Sequence, residues 1–319
     1  MKKLVILLSF FFLLCYANTT AQSFGGGTGS QSNPWQIHTL IHLNELADSL
    51  DAESGWIAGK YFILMNDITE PMTRVIGNGF RGYFDGQNHT INLTINTNGD
   101  AALFGLIGGI CSGGSSYIKN LIVSGDVNLK SATAGIATHI LACGLTVEIS
   151  NCINLAKITG SDNGNIARTG GIAGMLQGNN VTISHCINVG NIKSGCAAGI
   201  VGCAEILSDA NIQINNCINY GYIKGGSYAA GILGLVFYYG GNSSIQNCVN
   251  TGVVEGAYYN GCILARSSGS GALPPIINCW WDKQFCPHPS IYQEDLSHCS
   301  TGINPCVKNL EPETITRKY

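Results

Sequence analysis

Along most of its length the chain repeats one pattern of apolar and polar positions. The fullest copy is INNCINYGYI at Ile214–Ile223, in which an apolar start, Asn, Cys, a second Asn and a closing Ile hold fixed places. The pattern recurs at Ile149–Ile158, Ile183–Ile192 and Ile245–Val254, with a worn first copy at Ile118–Val127 and a shortened last one at Ile276–Cys279. The Cys position falls at Leu121, Cys152, Cys186, Cys217, Cys248 and Cys279, so the steps are 31, 34, 31, 31 and 31 residues. A Gly-centred element keeps the same period, from LFGLIG near Gly105 through GGIAG near Gly171, AGIVG near Gly199 and AGILG near Gly231 to NGCIL near Gly261. Self-similarity at a fixed period of this size marks a solenoid or a propeller.

The copies are rich in Ile, Val, Asn and Gly and lack the Leu/Ala/Glu/Lys mixture of helices. No run between Ala101 and Pro274 sustains a helical period. Each unit reads as three short strands with Gly or Asn at the corners. A propeller blade would need about 40 residues and four antiparallel strands. The predicted fold is therefore all-β, a single-stranded parallel β-helix with an N-terminal capping helix and an irregular, Cys-rich C-terminal cap.

In such a column like residues stack one coil above the next, about 4.8 Å apart. Asn120, Asn151, Asn216, Asn247 and Asn278 form one expected ladder, interrupted by His185, and Asn154, Asn188, Asn219 and Asn250 form another. Asn suits this place because it tolerates the left-handed conformation and its amide bonds to its own kind. A bend at Asn151 turns both Ile149 and Cys152 inward and leaves Ile153, Ile187, Ile218, Val249 and Trp280 as an outward apolar stripe, available for self-association. A straight strand would exchange the two Asn ladders.

Outside the repeat, Lys2-Lys3, the apolar run Leu4–Tyr16 and small residues up to Ala21 read as a signal peptide over residues 1–21. Cys15 as a lipid-attachment site is the alternative, though Leu14 and Tyr16 fit a lipobox poorly. A Gly/Ser-rich lead-in segment follows at 22–38, then an N-terminal cap with the first coils at 39–100, the repeat β-helix at 101–279 and a cap and tail at 280–319. In Thr39–Leu50, Leu40, Leu43, Ala47 and Leu50 fall at helical spacing and predict the helix that covers the open end of the column. Tyr61–Ile68 predicts a strand, and Phe84, His89, Ile91, Leu93 and Ile95 predict an early coil.

Composition narrows the function classes. Charged residues make up 11% of the chain and the net charge is −3, so the basic footprint of a nucleic-acid binder is missing. After the leader no stretch approaches the ~20 apolar residues of a membrane span. Secretion or display on an outer surface is the expected location. Fourteen cysteines are present. Those of the repeat read as small buried thiols. The tail set Cys279, Cys286, Cys299 and Cys306 has wider spacing than zinc sites use, so a disulfide clip on the last coil is expected instead.

Taken together, FGGGTGSQSNPWQI, KYFILMNDI, FRGYFDGQNHTI and the repeated GGIAG…ISNCIN pattern resemble the GLUG-motif surface proteins of bacteria, Bacteroidetes above all. The resemblance covers nearly the whole mature chain. It implies an exported, β-helical, adhesin-like module and brings no catalytic residues with it.

Parallel β-helices also include polysaccharide lyases and glycoside hydrolases, whose chemistry needs carboxylates on one face, either as a Ca²⁺ cradle or as an acid–base pair. Here Asp126 aligns with Lys157, Asn191, Tyr222 and Val253, and Glu255 with Thr159, Lys193 and Lys224. No carboxylate stacks on another, and Asp162, Glu205 and Asp209 read as loop charges. His185 reads as a hydrogen-bonding substitute for a ladder Asn, and His288 and His298 as tail residues. The expectation is a non-enzyme with no metal and no cofactor. Its candidate binding residues are Asp162, Asn165 and Arg168 in and beside the longest insertion, and Tyr222, Tyr238, Tyr239, Tyr258 and Tyr259 in the later coils. A glycan or an extracellular protein is the partner such residues suit, since aromatic rings stack on sugars and amides bond their hydroxyls.

Overall fold

The computed structural model describes residues 24–51, 57–77, 79–97, 99, 101–109, 113–128, 132–162, 167–269, 273–287 and the backbone of 308–310. The expected signal peptide, Asn165, His288, His298, Cys299 and Cys306 lie outside them. The strands pair in parallel, rung upon rung, into a β-solenoid of about seven turns.

The coil Val201–Ala230 shows the plan: a first wall Val201–Ile206, a second wall Asn211–Asn215, a short corner strand Ile218–Asn219 and a closing wall Ile223–Ala230. That makes four pairing segments where the sequence suggests three. The extra one comes from the Asn corner, which cuts INNCIN into two strands at different angles. Asn120, Asn151, Asn216, Asn247 and Asn278 all adopt φ between 48° and 55°, and His185 joins them at 54°. This left-handed turn lets Ile149 and Cys152 both point inward, fully buried, while Ile153 stays partly exposed. The bent reading of the repeat is the one the fold adopts.

The register follows the repeat. Ile149, Ile183 and Ile214 stack on the second wall, and Ile153, Ile187, Ile218, Val249 and Trp280 on the corner strand. Cys152, Cys186, Cys217, Cys248 and Cys279 are all buried free thiols. Each sulfur lies 3.5–3.8 Å from the carbonyl of an Ile one coil back, Ile118 for Cys152 and Ile245 for Cys279. Burial drives the Cys186, Cys217 and Cys248 thiols far above the ordinary range, because a thiolate there would lose its water. These sulfurs act as small apolar residues.

The two Asn ladders differ in kind. The corner set is exposed and loosely linked, with Asn151 Nδ2 donating to Asn120 Oδ1 at 3.3 Å and Asn216 meeting His185 at 3.3 Å. The other set is wholly buried: Asn154 donates to Asn188, Asn188 to Asn219 and Asn219 to Asn250, at 2.7, 2.7 and 2.8 Å. Each of these amides also donates to the carbonyl two residues ahead, at 3.0–3.3 Å. The Gly-centred element explains its own glycine at this point. A Cβ on Gly135, Gly171, Gly199 or Gly231 would stand 2.3–2.5 Å from atoms of Asn154, Asn188, Asn219 or Asn250, respectively. The two sequence elements share one period because the glycine makes room for the amide in the same turn.

At the N-terminal end the hollow is filled by Phe62, Phe80, Phe84 and Phe104, whose rings meet edge-on or tilted. The helix Leu40–Asp51 lies there, burying Leu43, Leu46 and Ala47. The buried face is rotated slightly from the expected one, since Leu40 and Leu50 are only partly buried. Thr39 serves as a loose N-cap, its Oγ1 lying 3.5 Å from the His42 N–H. Arg74 bridges Asp48 and Asp51 at 2.6 and 2.8 Å near the helix end, in positions exposed enough to hold its worth below about 1 kcal/mol. His89, counted above as a strand residue, turns outward to Asp67 at 3.0 Å.

The disulfide near the last coil pairs Cys262 with Cys286, with 5.9 Å between Cα atoms. A disulfide does tie the tail to the last coil, but not within the expected set: Cys286 bonds to Cys262 of the repeat, while Cys279 occupies the inner thiol ladder. Cys143 is also disulfide-bonded.

Candidate functional site

The first wall and the closing wall meet at an acute corner built from Gly171-Ile172, Gly199-Ile200 and Gly231-Ile232. The isoleucines fill the hollow. On the outside the two walls come close: a Cβ on Gly202 would meet the backbone N of Thr169 at 2.5 Å, and one on Gly234 would meet Cys196 Sγ at 3.0 Å. The corner is therefore re-entrant, and the outward residues of both walls share a shallow cleft along the column whose bottom their own side chains fill, Met175, Cys196, Cys203, Tyr228 and Leu235 being 0–8% exposed.

Two rows line that cleft. Arg168, Cys196, Tyr228 and Tyr259 stack on the closing wall. His139, Met175, Cys203, Leu235 and Arg266 stack on the first wall. The floor is a small apolar cluster separate from the main core, made of Cys196, Ala198, Cys203, Tyr228, Ala230, Leu235 and Ala265. Across the cleft, Arg168 Nη1 rests on Met175 Sδ, and the Arg266 guanidinium lies over the Tyr259 ring at 4.3 Å. Cationic side chains thus stand at both ends, on opposite walls. From Met175 to Arg266 there are three rungs, about 14 Å at the usual strand spacing.

The tyrosines do not offer free ring faces. Tyr228 and Tyr259 stack on each other at 5.2 Å with planes 11° apart, and Arg266 covers Tyr259. What reaches into the cleft is therefore a set of edges and guanidinium N–H donors. Arg168 Nε is buried with no hydrogen-bond partner among the described residues. Glu205 is the one acid on the first-wall face, held by Gln177 at 2.5 Å. It sits on the strand Val201–Ile206, not in a loop as the sequence suggested. Burial lifts the Cys203 thiol to about 12, and Arg168 pulls only weakly in the other direction. Cys196 is pushed higher still by the same cause.

The remaining candidates are dispersed. Asp162 is exposed and pairs with Lys193 at 3.7 Å. Tyr222 donates to the Glu255 carboxylate at 2.5 Å, a bond that holds its phenol above the ordinary range. Tyr238 is 8% exposed and belongs to the main core, because it falls on an inward rung of the first wall. Tyr239 and Tyr258 stand out into solvent, 49% and 69% exposed, one beyond the first wall and the other within the closing wall of the same coil. Of the named residues only Arg168 and Tyr259 share the cleft.

Sequence reasoning missed two features. One is Arg266. The other is a row of Tyr61, Tyr83 and Tyr117 on the outer face of the second wall, with ring centroids 4.3 and 4.9 Å apart. Burial lifts Tyr117 to about 12, with Asp85 adding to it. The repeated dyads Tyr61-Phe62, Tyr83-Phe84 and Tyr117-Ile118 carry the signal for that row. On the repeat strands the carboxylates do not gather: Asp126 lies beside Lys157, Glu255 beside Lys224, and Glu148 beside Tyr117 and Thr182. Among the described residues no three His, Cys, Asp or Glu side chains are grouped as a metal site needs. Nor is any described helix long and apolar enough to cross a membrane.

No family model matches the chain, and no curated protein matches it. Its fold is similar to a crystal structure from Bacteroides ovatus described as a "putative immunoglobulin A1 protease", with a TM-score of 0.62 and 21% identity over 82% of this chain and 79% of that one. At that identity the likeness speaks for the shared β-solenoid alone.

Proposed function

We propose that this protein is an exported, non-catalytic β-solenoid, an adhesin-like module of the GLUG-motif type that holds an extracellular glycan or protein against its outer surface. The observation that carries this reading is the cleft itself, where a packed apolar floor is bordered by Arg168, Tyr259 and Arg266. A rigid wall with fixed cationic and aromatic edges is the setting of a binding surface.

The competing reading is enzymatic. A lyase or hydrolase needs paired carboxylates, and the strand carboxylates here lie beside Lys, Tyr, Thr, Gln or Phe on their ladders. The name of the Bacteroides ovatus protein raises proteolysis, which needs a nucleophile within hydrogen-bond reach of a base. On the cleft ladder His139 and Cys203 are separated by Met175, a gap of two rungs or about 10 Å. Burial also keeps the Cys203 thiol protonated.

The test is a screen of the mature protein against immobilised glycans and extracellular matrix proteins, followed by mass spectrometry of each bound partner. The expected result is capture of a partner that is recovered intact. Shortened glycan or cleaved polypeptide overturns the non-catalytic reading.

A further inference from the structure

We infer that the cleft between the first and closing walls is a site for an acidic polysaccharide, bound along the column with its carboxylates held by Arg266 and Arg168. This deepens the reading above and rests on it. Four cross-cleft pairs define the site, Arg168 with Met175, Cys196 with Cys203, Tyr228 with Leu235 and Tyr259 with Arg266, each pair seven residues apart in sequence. They stack in that order, one per turn.

The charge of the ligand follows from the two arginines, which outnumber the one carboxylate on this face, Glu205, whose Oε2 already accepts from Gln177. Arg266 lies flat on Tyr259, which fixes the guanidinium plane and leaves its N–H edge for a bidentate acceptor. Among the described residues no carboxylate lies within salt-bridge distance of it. At the other end Arg168 Nε is buried with no partner among the described residues, a desolvation cost that an anion beside this partly exposed residue would offset through its charge.

The chemistry of the chain follows from direction. Strands cross the cleft at right angles to its length, and the inner ones are hydrogen-bonded to neighbours on both sides; among the described residues Tyr259–Gly261 and Leu264–Gly269 pair on one side only. A peptide added as a further strand on that last rung would lie across the column and reach only the Arg266 end, whereas a ligand lying along the cleft and spanning both arginines meets side chains only. A polysaccharide needs no backbone pairing. Its hydroxyls can meet phenol edges and Gln177, and charged groups spaced over about 14 Å can meet both arginines. Because the ring faces are already covered, recognition runs through charge and hydrogen bonds rather than through sugar stacking.

The experiment is calorimetric titration of the mature protein with oligogalacturonate, its fully methyl-esterified form and a glutamate-rich peptide of equal charge. Oligogalacturonate is expected to bind and to weaken as salt rises. The ester and the peptide are expected to bind at least tenfold more weakly. Arg266→Gln is expected to cost at least tenfold, as is Arg168→Gln, because each removes a charge-assisted hydrogen bond to the ligand. Should Arg168→Gln disturb folding, Arg266→Gln decides alone, since among the described residues the Arg266 guanidinium packs on the Tyr259 ring and forms no ion pair. Unchanged affinity in folded Arg266→Gln overturns this site while leaving a glycan-binding module intact. Preference for the peptide or the ester overturns the acidic-glycan assignment. No binding of oligogalacturonate also overturns it, and the broader screen then decides whether any binding function remains.

Discussion

Replacing Asn219 with Ala is expected to lower stability by about 4 kcal/mol. The side chain is fully buried, and its amide donates to the Gly221 carbonyl and to Asn250 Oδ1 while its oxygen accepts from Asn188 Nδ2 and the Gly221 N–H. Four hydrogen bonds are lost together, each worth roughly 1 kcal/mol net, and the stranded partners have no water to turn to. A whole domain is stable by only about 5–15 kcal/mol, so the change is a large share of the total. The exposed corner residue Asn216 provides the contrast. Asn216→Gly is expected to be close to neutral because φ of 55° suits glycine, whereas Asn216→Ala should cost about 1 kcal/mol for a Cβ in the left-handed region. Urea unfolding followed by circular dichroism compares the three variants. A midpoint for Asn219→Ala no lower than that of Asn216→Ala would remove the inner ladder from its central place.

Gly199→Ala is the second large effect, expected at about 3 kcal/mol. The new methyl would stand 2.2 Å from the Gly231 carbonyl oxygen and 2.4 Å from Asn219 Cγ. The first is backbone of the next coil and cannot turn aside, so coils must separate, at the upper end of overpacking penalties. Combining Gly199→Ala with Asn219→Ala should cost less than the sum of the two, because one of the two clashes disappears with the amide. Additive losses in that double-mutant cycle would show that glycine and asparagine are not coupled.

Much of this was legible beforehand, for a definite reason. A column repeats its cross-section, so a one-residue error in register would turn every inward residue outward. The spacing of Cys152, Cys186, Cys217 and Cys248 therefore sets which residues stack, and the observed pairs Lys157 with Asp126 and Lys224 with Glu255 follow from it. What spacing leaves open is the shape of one turn. The acute corner at Gly199-Ile200 brings Cys196 against Cys203, yet nothing in the sequence sets these two apart from Ala197 and Ala204 beside them, which face the main core. Arg168 drew attention because it follows an insertion and Tyr259 because it is aromatic, and only the folded register puts them on one row. Arg266 was hidden because the rungs before it are Met175, Cys203 and Leu235, which announce nothing polar. Aligning residues three before and four after Gly171, Gly199, Gly231 and Cys262, which takes the same place in the last copy, would have exposed all four cross-cleft pairs.

The most direct measurement of the binding account is oxidative footprinting of the tyrosines with and without saturating oligogalacturonate, with the size of the recovered ligand read in the same sample. Labelling of Tyr259 should fall on binding, labelling of the solvent-exposed Tyr258 and Tyr239 should stay unchanged, and the oligomer should come back at full length. Equal labelling of Tyr259 in both samples, or a shortened oligomer, would contradict it.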